Sequence, residues 1–249
     1  MAKFLSIRDA VADNLKHGDS VAFEGFTHLI PHAAAHEVIR QGFKDLTVMR
    51  MTPDIIYDQL IGMGMVKKMI FSFAGNPGVG LLRRVRDAVE NQWPHALEVE
   101  EHSHAAMANA YEAGAAGLPC AVFRGYLGAE LAKVNANIKS IICPFTGEQL
   151  AAVPALRPDV TFIHAQKADR KGNVLIEGIL GVQKEAVLAA TPMPAYFRTG
   201  RLPPFAWFRA VRIHPMQAAI MTVTMSIILN GTPLLPTVKN FWHGWTNMC

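Results

Sequence analysis

The chain has 249 residues with 24 Lys+Arg against 20 Asp+Glu; it is 51% hydrophobic and 18% charged, which excludes a disordered chain. The length allows one large or two small domains with a core that needs no covalent staples. Cys120, Cys143 and Cys249 show no CxxC spacing, which speaks against a zinc ribbon or a disulfide scaffold, and Asp9 and Asp13 stand where a secretory segment would be apolar, so a cytoplasmic location is expected.

A helical pattern over 6–16 leads into a β-rich run at 21–24. Helix 33–41, strand 46–50, helix 54–61, strand 68–73, helix 81–91, strand 97–101 and helix 104–113 follow. Further strands are expected at 121–124, 140–142 and 160–165. Strands alternating with helices imply right-handed crossovers and a largely parallel sheet. Near-continuous apolar strands imply helices on both faces of that sheet. The expected fold is an open α/β sheet in one domain over 1–190. The sequence DRKGN at 169–173 reads as a turn joining an antiparallel hairpin beside the sheet.

In such folds ligands bind at the carboxyl ends of the strands. The loop after the first strand holds Gly25, Phe26 and Thr27, and the helix behind it offers free N–H groups. On spacing alone it is an ordinary βα turn. The loop after the third strand, with Gly75 and Asn76, is glycine-rich but has neither the dinucleotide GxGxxG order nor a Walker lysine. It reads equally as a cradle for a carboxylate or amide and as a flexible turn. In the loop after the fourth strand, Ser103 is placed to cap the next helix, and His104 follows it. No third group orients them as a dyad, and no GxSxG elbow exists. His32 and His36 share a helix face, but the HExxH order is absent, so no metal site is expected.

Charge is uneven along the chain. Residues 191–249 contain no Asp or Glu and five bases, Arg198, Arg201, Arg209, Arg212 and Lys239. Five bases over that length make no dense patch, and no nucleic-acid-binding motif accompanies them. The apolar run 216–229 falls short of the ~20 residues a membrane span needs. Neither a nucleic-acid nor a membrane partner is expected.

Several strings occur in a specific order: EGFTHLIPHAAAHEVIRQG, DLTVMRMTPD, FAGNPGVGLLRRVRDAVE, EEHSHAAMANAYEAGAAGLP, CPFTGEQLAAVPALRPDV and HAQKADRKGNVLIEG. In that order they resemble the A (α) subunit of family I coenzyme A transferases, in the glutaconate CoA-transferase-like branch. The resemblance implies a CoA-transferase-type α/β fold and a hetero-oligomer with a B subunit. It implies ping-pong transfer of CoA from an acyl-CoA to a carboxylic acid. Coenzyme A is then a substrate, and no permanently bound cofactor is implied. The nucleophilic Glu belongs to the B subunit, so no catalytic residue is expected on this chain, and Glu24 is not assigned that role. Gly25, Phe26, Thr27, Gly75, Asn76, Ser103 and His104 are the expected substrate-binding residues. A related branch hydrolyses cyclic diketone CoA esters with an A-chain acid. His104 occupies the corresponding place here, which favours transfer. An inactive, truncated subunit is the competing reading.

After about Ala190 the chain departs from the family. Synonymous codons can be chosen for residues 195–225 so that a frame starting at the third base restores acids. The shifted text carries a Pro-x-Trp and a Pro-Gly-Gly-x-x-Pro-Ser pattern similar to the family's C-terminal region. The 191–249 segment is therefore read as a frameshifted tail without native structure.

Overall fold

The computed structural model describes residues 4–26, 29–76, 80–169 and 173–190, with the backbone of two further strands at 210–212 and 219–223. The first half alternates strictly: α1 (Ile7–Asn14), β1 (Ser20–Glu24), α2 (His32–Gln41), β2 (Leu46–Arg50), α3 (Ile55–Gly62), β3 (Val66–Phe71), α4 (Arg83–Glu90), β4 (Glu98–Glu101) and α5 (His104–Ala116). Then come β5 (Cys120–Phe123), α6 (Leu131–Val134), β6 (Lys139–Ile142), β7 (Gln149–Pro154), β8 (Val160–Ala165), β9 (Lys167–Ala168), β10 (Asn173–Leu175) and α7 (Gln183–Ala189). The two remaining strands are β11 (Ala210–Arg212) and β12 (Ala219–Val223).

Local chemistry sets the helix ends. The side chains of Ser6, Asp54 and Ser103 accept first-turn N–H groups of α1, α3 and α5, each cap stabilising its helix by about 1 kcal/mol. Helix α4 has no side-chain cap of its own. Asp58, projecting from α3, accepts the N–H groups of Arg84 and Val85 at 2.8 and 3.0 Å instead. Gly42 and Gly117, both at φ 72°, end α2 and α5 in the left-handed conformation that glycine adopts without steric cost.

The main sheet runs β12-β8-β1-β2-β3-β4, and every pair in it is parallel. Alternation along its strands divides two cores. Val21, Phe23, Leu46, Val48, Val66, Met69, Val160 and Phe162 pack with α1 to α4 on one face. Ala22, Met49 and Ile70 pack with α5 and α7 on the other. The helices therefore cover both faces, as the apolar strands imply. Phe23 stacks on Phe162 at 5.1 Å and meets Tyr57 edge-on at 6.1 Å.

The second half departs from the sequence reading at β5 and β6. β5 and β6 leave the parallel sheet and flank β7 in an antiparallel sheet of their own. The hairpin β9–β10 is antiparallel, and it pairs with β11 rather than with the main sheet. Its turn at 170–172 lies outside the described residues. So does residue 27, and so does the 191–249 tail apart from β11 and the parallel partner of β8, β12. Among the described residues no helix is long and apolar enough to cross a membrane.

From β1 to β4 the chain steps in one direction across the sheet. It returns with β8 on the other side of β1. The switch point lies between β1 and β8, where an open α/β sheet forms its ligand crevice.

Candidate functional site

Gly25 follows β1 at the switch point. A Cβ there would collide with the backbone carbonyl of Leu29, so the loop closes on itself only with glycine. Phe26, 43% exposed, is an apolar wall, and its Cβ stands 3.9 Å from where a Cβ on Gly181 would lie. Thr27 lies outside the described residues. After β3, Gly75 donates its N–H to Pro53 O at 3.1 Å, and Asn76 forms an isolated bridge with Gly80. After β4, Ser103 caps α5 through Ala106 N–H and gives its own N–H to the Tyr126 hydroxyl at 2.5 Å. The amides of Gly75 and Ser103 are thus already used. Two first-turn amides of α5, those of His104 and Ala105, have no acceptor within the helix.

All three loops lie on the carboxyl edge of the sheet. The loops after β3 and β4 leave adjacent strands, but the loop after β1 is no direct neighbour of the one after β4, since three strand spacings, about 14 Å, separate those strands. A fourth loop joins them: the residues 51–54 that leave β2. Met51 donates its N–H to Glu24 Oε1 at 3.1 Å, and its carbonyl accepts the Ser72 hydroxyl at 2.6 Å. The Thr52 hydroxyl meets His104 Nε2 at 3.0 Å. Pro53 holds Gly75. Asp54 pairs with Arg50 at 2.9 Å. Sequence reasoning assigned none of these residues to the site, because MTPD carries no glycine and no histidine. The available signal was Pro53-Asp54, a strand stop followed by a helix cap.

Beneath the loops lies a buried polar cluster. Arg50, 3% exposed, donates Nη2 to Gly25 O at 2.7 Å and packs over the Tyr57 ring. Tyr57 donates to Met49 O and accepts Phe23 N–H. Burial pushes the Glu24 carboxyl above its ordinary range. The Arg50 charge, the nearby Tyr111 hydroxyl and the N–H groups of Met51 and Gly25 oppose that rise without reversing it. Burial also pushes the phenols of Tyr57 and Tyr111 well up. Glu24 is thus enclosed with its oxygen engaged, the opposite of what a nucleophilic carboxylate needs.

At the β4 edge, Lys68 reaches Glu98 and Glu100 at 2.8 Å each, and His102 Nε2 meets Glu100 at 2.8 Å. Burial works to raise the Glu100 carboxyl, but hydrogen bonds from His102, Lys68 and Asn137 hold it down at about 2. An ionised carboxylate only accepts, so His102 carries its proton on Nε2. A cavity of about 380 Å³ opens beside this cluster, between β4 and the stretch Leu131–Asn137. The histidines 32 and 36 stand 6.3 Å apart by ring centroids, and His36 bonds Gln59.

The sequence profile of the Coenzyme A transferase family matches residues 4–204. The chain belongs to the coenzyme A transferase family. It is 68% identical over 190 residues to the A chain of 3-oxoadipate CoA-transferase from Pseudomonas knackmussii, covering 76% of this chain and 67% of that one. The glutaconate coenzyme A-transferase structure from Acidaminococcus fermentans superposes with a TM-score of 0.69 at 32% identity, over 75% of this chain and 63% of the other. The cholesterol ring-cleaving hydrolase IpdA subunit of Rhodococcus jostii is 26% identical over 189 residues, 71% of this chain and 61% of that one. The chain thus spans about two thirds of the length of these coenzyme A transferase relatives and of the IpdA protein.

Proposed function

We propose that this chain is the A half of a two-subunit cytosolic CoA-transferase whose acceptor is a 3-oxo dicarboxylic acid of the 3-oxoadipate type. The 68% identity to the A chain of a 3-oxoadipate CoA-transferase carries the reading. The loop at Gly25 and Phe26 supports it, since it leaves the sheet at the switch point, where such folds bind ligands. In the reaction, a Glu carboxylate of the B subunit is the nucleophile: it attacks the acyl-CoA carbonyl and expels the CoA thiolate, leaving an acyl anhydride. The thiolate then attacks the glutamyl carbonyl, releases the first acid and forms the enzyme thioester. The acceptor acid reverses both steps.

This chain supplies the wall and the donors. The amides of His104 and Ala105 stabilise the developing oxyanion, aided by the positive end of α5. Gly25, Phe26, Thr27 and Asn76 border the acyl group, while Gly75 and Ser103 act by shaping their loops. The ring-cleaving alternative is less well supported, with an imidazole, His104, where an acid is needed and a relative only 26% identical. The test is an acyl-CoA plus 3-oxoadipate, with and without a co-expressed B subunit, followed by borohydride trapping. Trapping is expected to modify the B subunit. A modified Glu on this chain would overturn the division of roles.

A further inference from the structure

Two hydrogen bonds cross between the neighbouring strands β1 and β2 in opposite senses. Glu24, the last residue of β1, accepts the N–H of Met51, the first residue after β2, at 3.1 Å. Arg50, the last residue of β2, donates to the carbonyl of Gly25, the first residue after β1, at 2.7 Å. Both side chains are 3% exposed. Asp54, which caps α3, forms an ion pair with the other arm, Nη1, at 2.9 Å, outside hydrogen-bond geometry. An apolar pair could join the two strands equally well. What the polar pair adds is a fixed backbone for both loops just beyond the strand ends. The loop it fixes after β2 presents Thr52, whose hydroxyl meets His104 Nε2 at 3.0 Å across the top of β3.

We propose that Glu24 and Arg50 are positioning residues, a reciprocal clamp that sets the 51–54 loop and, through Thr52, the orientation of the His104 imidazole beside the first turn of α5. What the imidazole serves rests on the CoA-transfer reading; the clamp does not. Glu24→Leu removes the acceptor for Met51 N–H, whereas Glu24→Gln keeps an oxygen for it. Thr52→Val removes the last link.

The imidazole nitrogen NMR shifts of His104 in the full chain, with a thermal melt for each variant, read the clamp directly. Glu24→Leu and Thr52→Val are expected to move the His104 shifts in the same direction, and Glu24→Gln to return them toward wild type. In the complex with a B subunit, Glu24→Leu is expected to lower kcat by about 10²-fold with KM little changed, the signature of a misplaced group rather than a lost binding contact. Wild-type His104 shifts in a folded Glu24→Leu or Thr52→Val variant would overturn the proposal. Should Glu24→Leu not fold, Arg50→Lys tests the other arm, because a lysine lacks the fork that reaches both Gly25 and Asp54; unchanged shifts there would overturn it equally. A wild-type pair without transferase activity would sink the CoA-transfer reading and leave the NMR comparison to decide the clamp.

Discussion

Burial alone would make the Glu100 carboxyl harder to ionise. Its neighbours reverse that outcome and hold it at about 2. The unfolded chain therefore takes up this proton first as pH falls, so the contribution of Glu100 to stability is fully present above about pH 4.5 and disappears as pH approaches 2. Glu100→Gln is expected to flatten the dependence of the urea midpoint on pH across that window; the same slope in both proteins would contradict the assignment. Gly25 behaves differently, since its constraint is steric. A methyl group there strikes the Leu29 carbonyl, so Gly25→Ala should cost about 1–3 kcal/mol through the displaced loop. A calorimetric melt equal to wild type would show that the loop yields freely.

Helix α5 owes its seat to Gly114. A Cβ at that position meets the Leu156 carbonyl and comes within 3.1 Å of Ala189 Cβ on α7. Alanine would gain about 1 kcal/mol of helix propensity, but overpacking against backbone costs about 1–3 kcal/mol. Gly114→Ala should therefore lower the Tm, and a raised Tm would contradict the close packing of α5. Strands β1, β2 and β8 were legible as apolar runs, and β3 and β4 from their places between helices that carry a capping residue or an apolar stripe; β12, inside the acid-free tail, was not. β7 was not, because QLAAVP is alanine-rich with a terminal proline, a weak strand signal that gains its pairing only from β5 and β6. The glycine loops at the carboxyl edge were legible from their place after strands. The 51–54 hub was not, since its role depends on contacts with residues such as Glu24 and His104 that lie far away in sequence.

At the scale of the molecule, the 68% identity spans 190 residues, while the segment 191–249 holds no acid. Resequencing the gene is expected to reveal a family-like reading in the shifted frame after about codon 190; a gene with no such reading would make the tail a genuine variant. Restoring the frame should raise yield, because an apolar, uncompensated tail invites aggregation.

The assignment of this chain as the A half of a CoA-transferase is tested most directly by measuring CoA transfer to 3-oxoadipate with this chain, alone and paired with a B subunit. Turnover is expected from the pair and none from the chain alone. Turnover by the isolated chain at the rate of the pair would contradict the assignment.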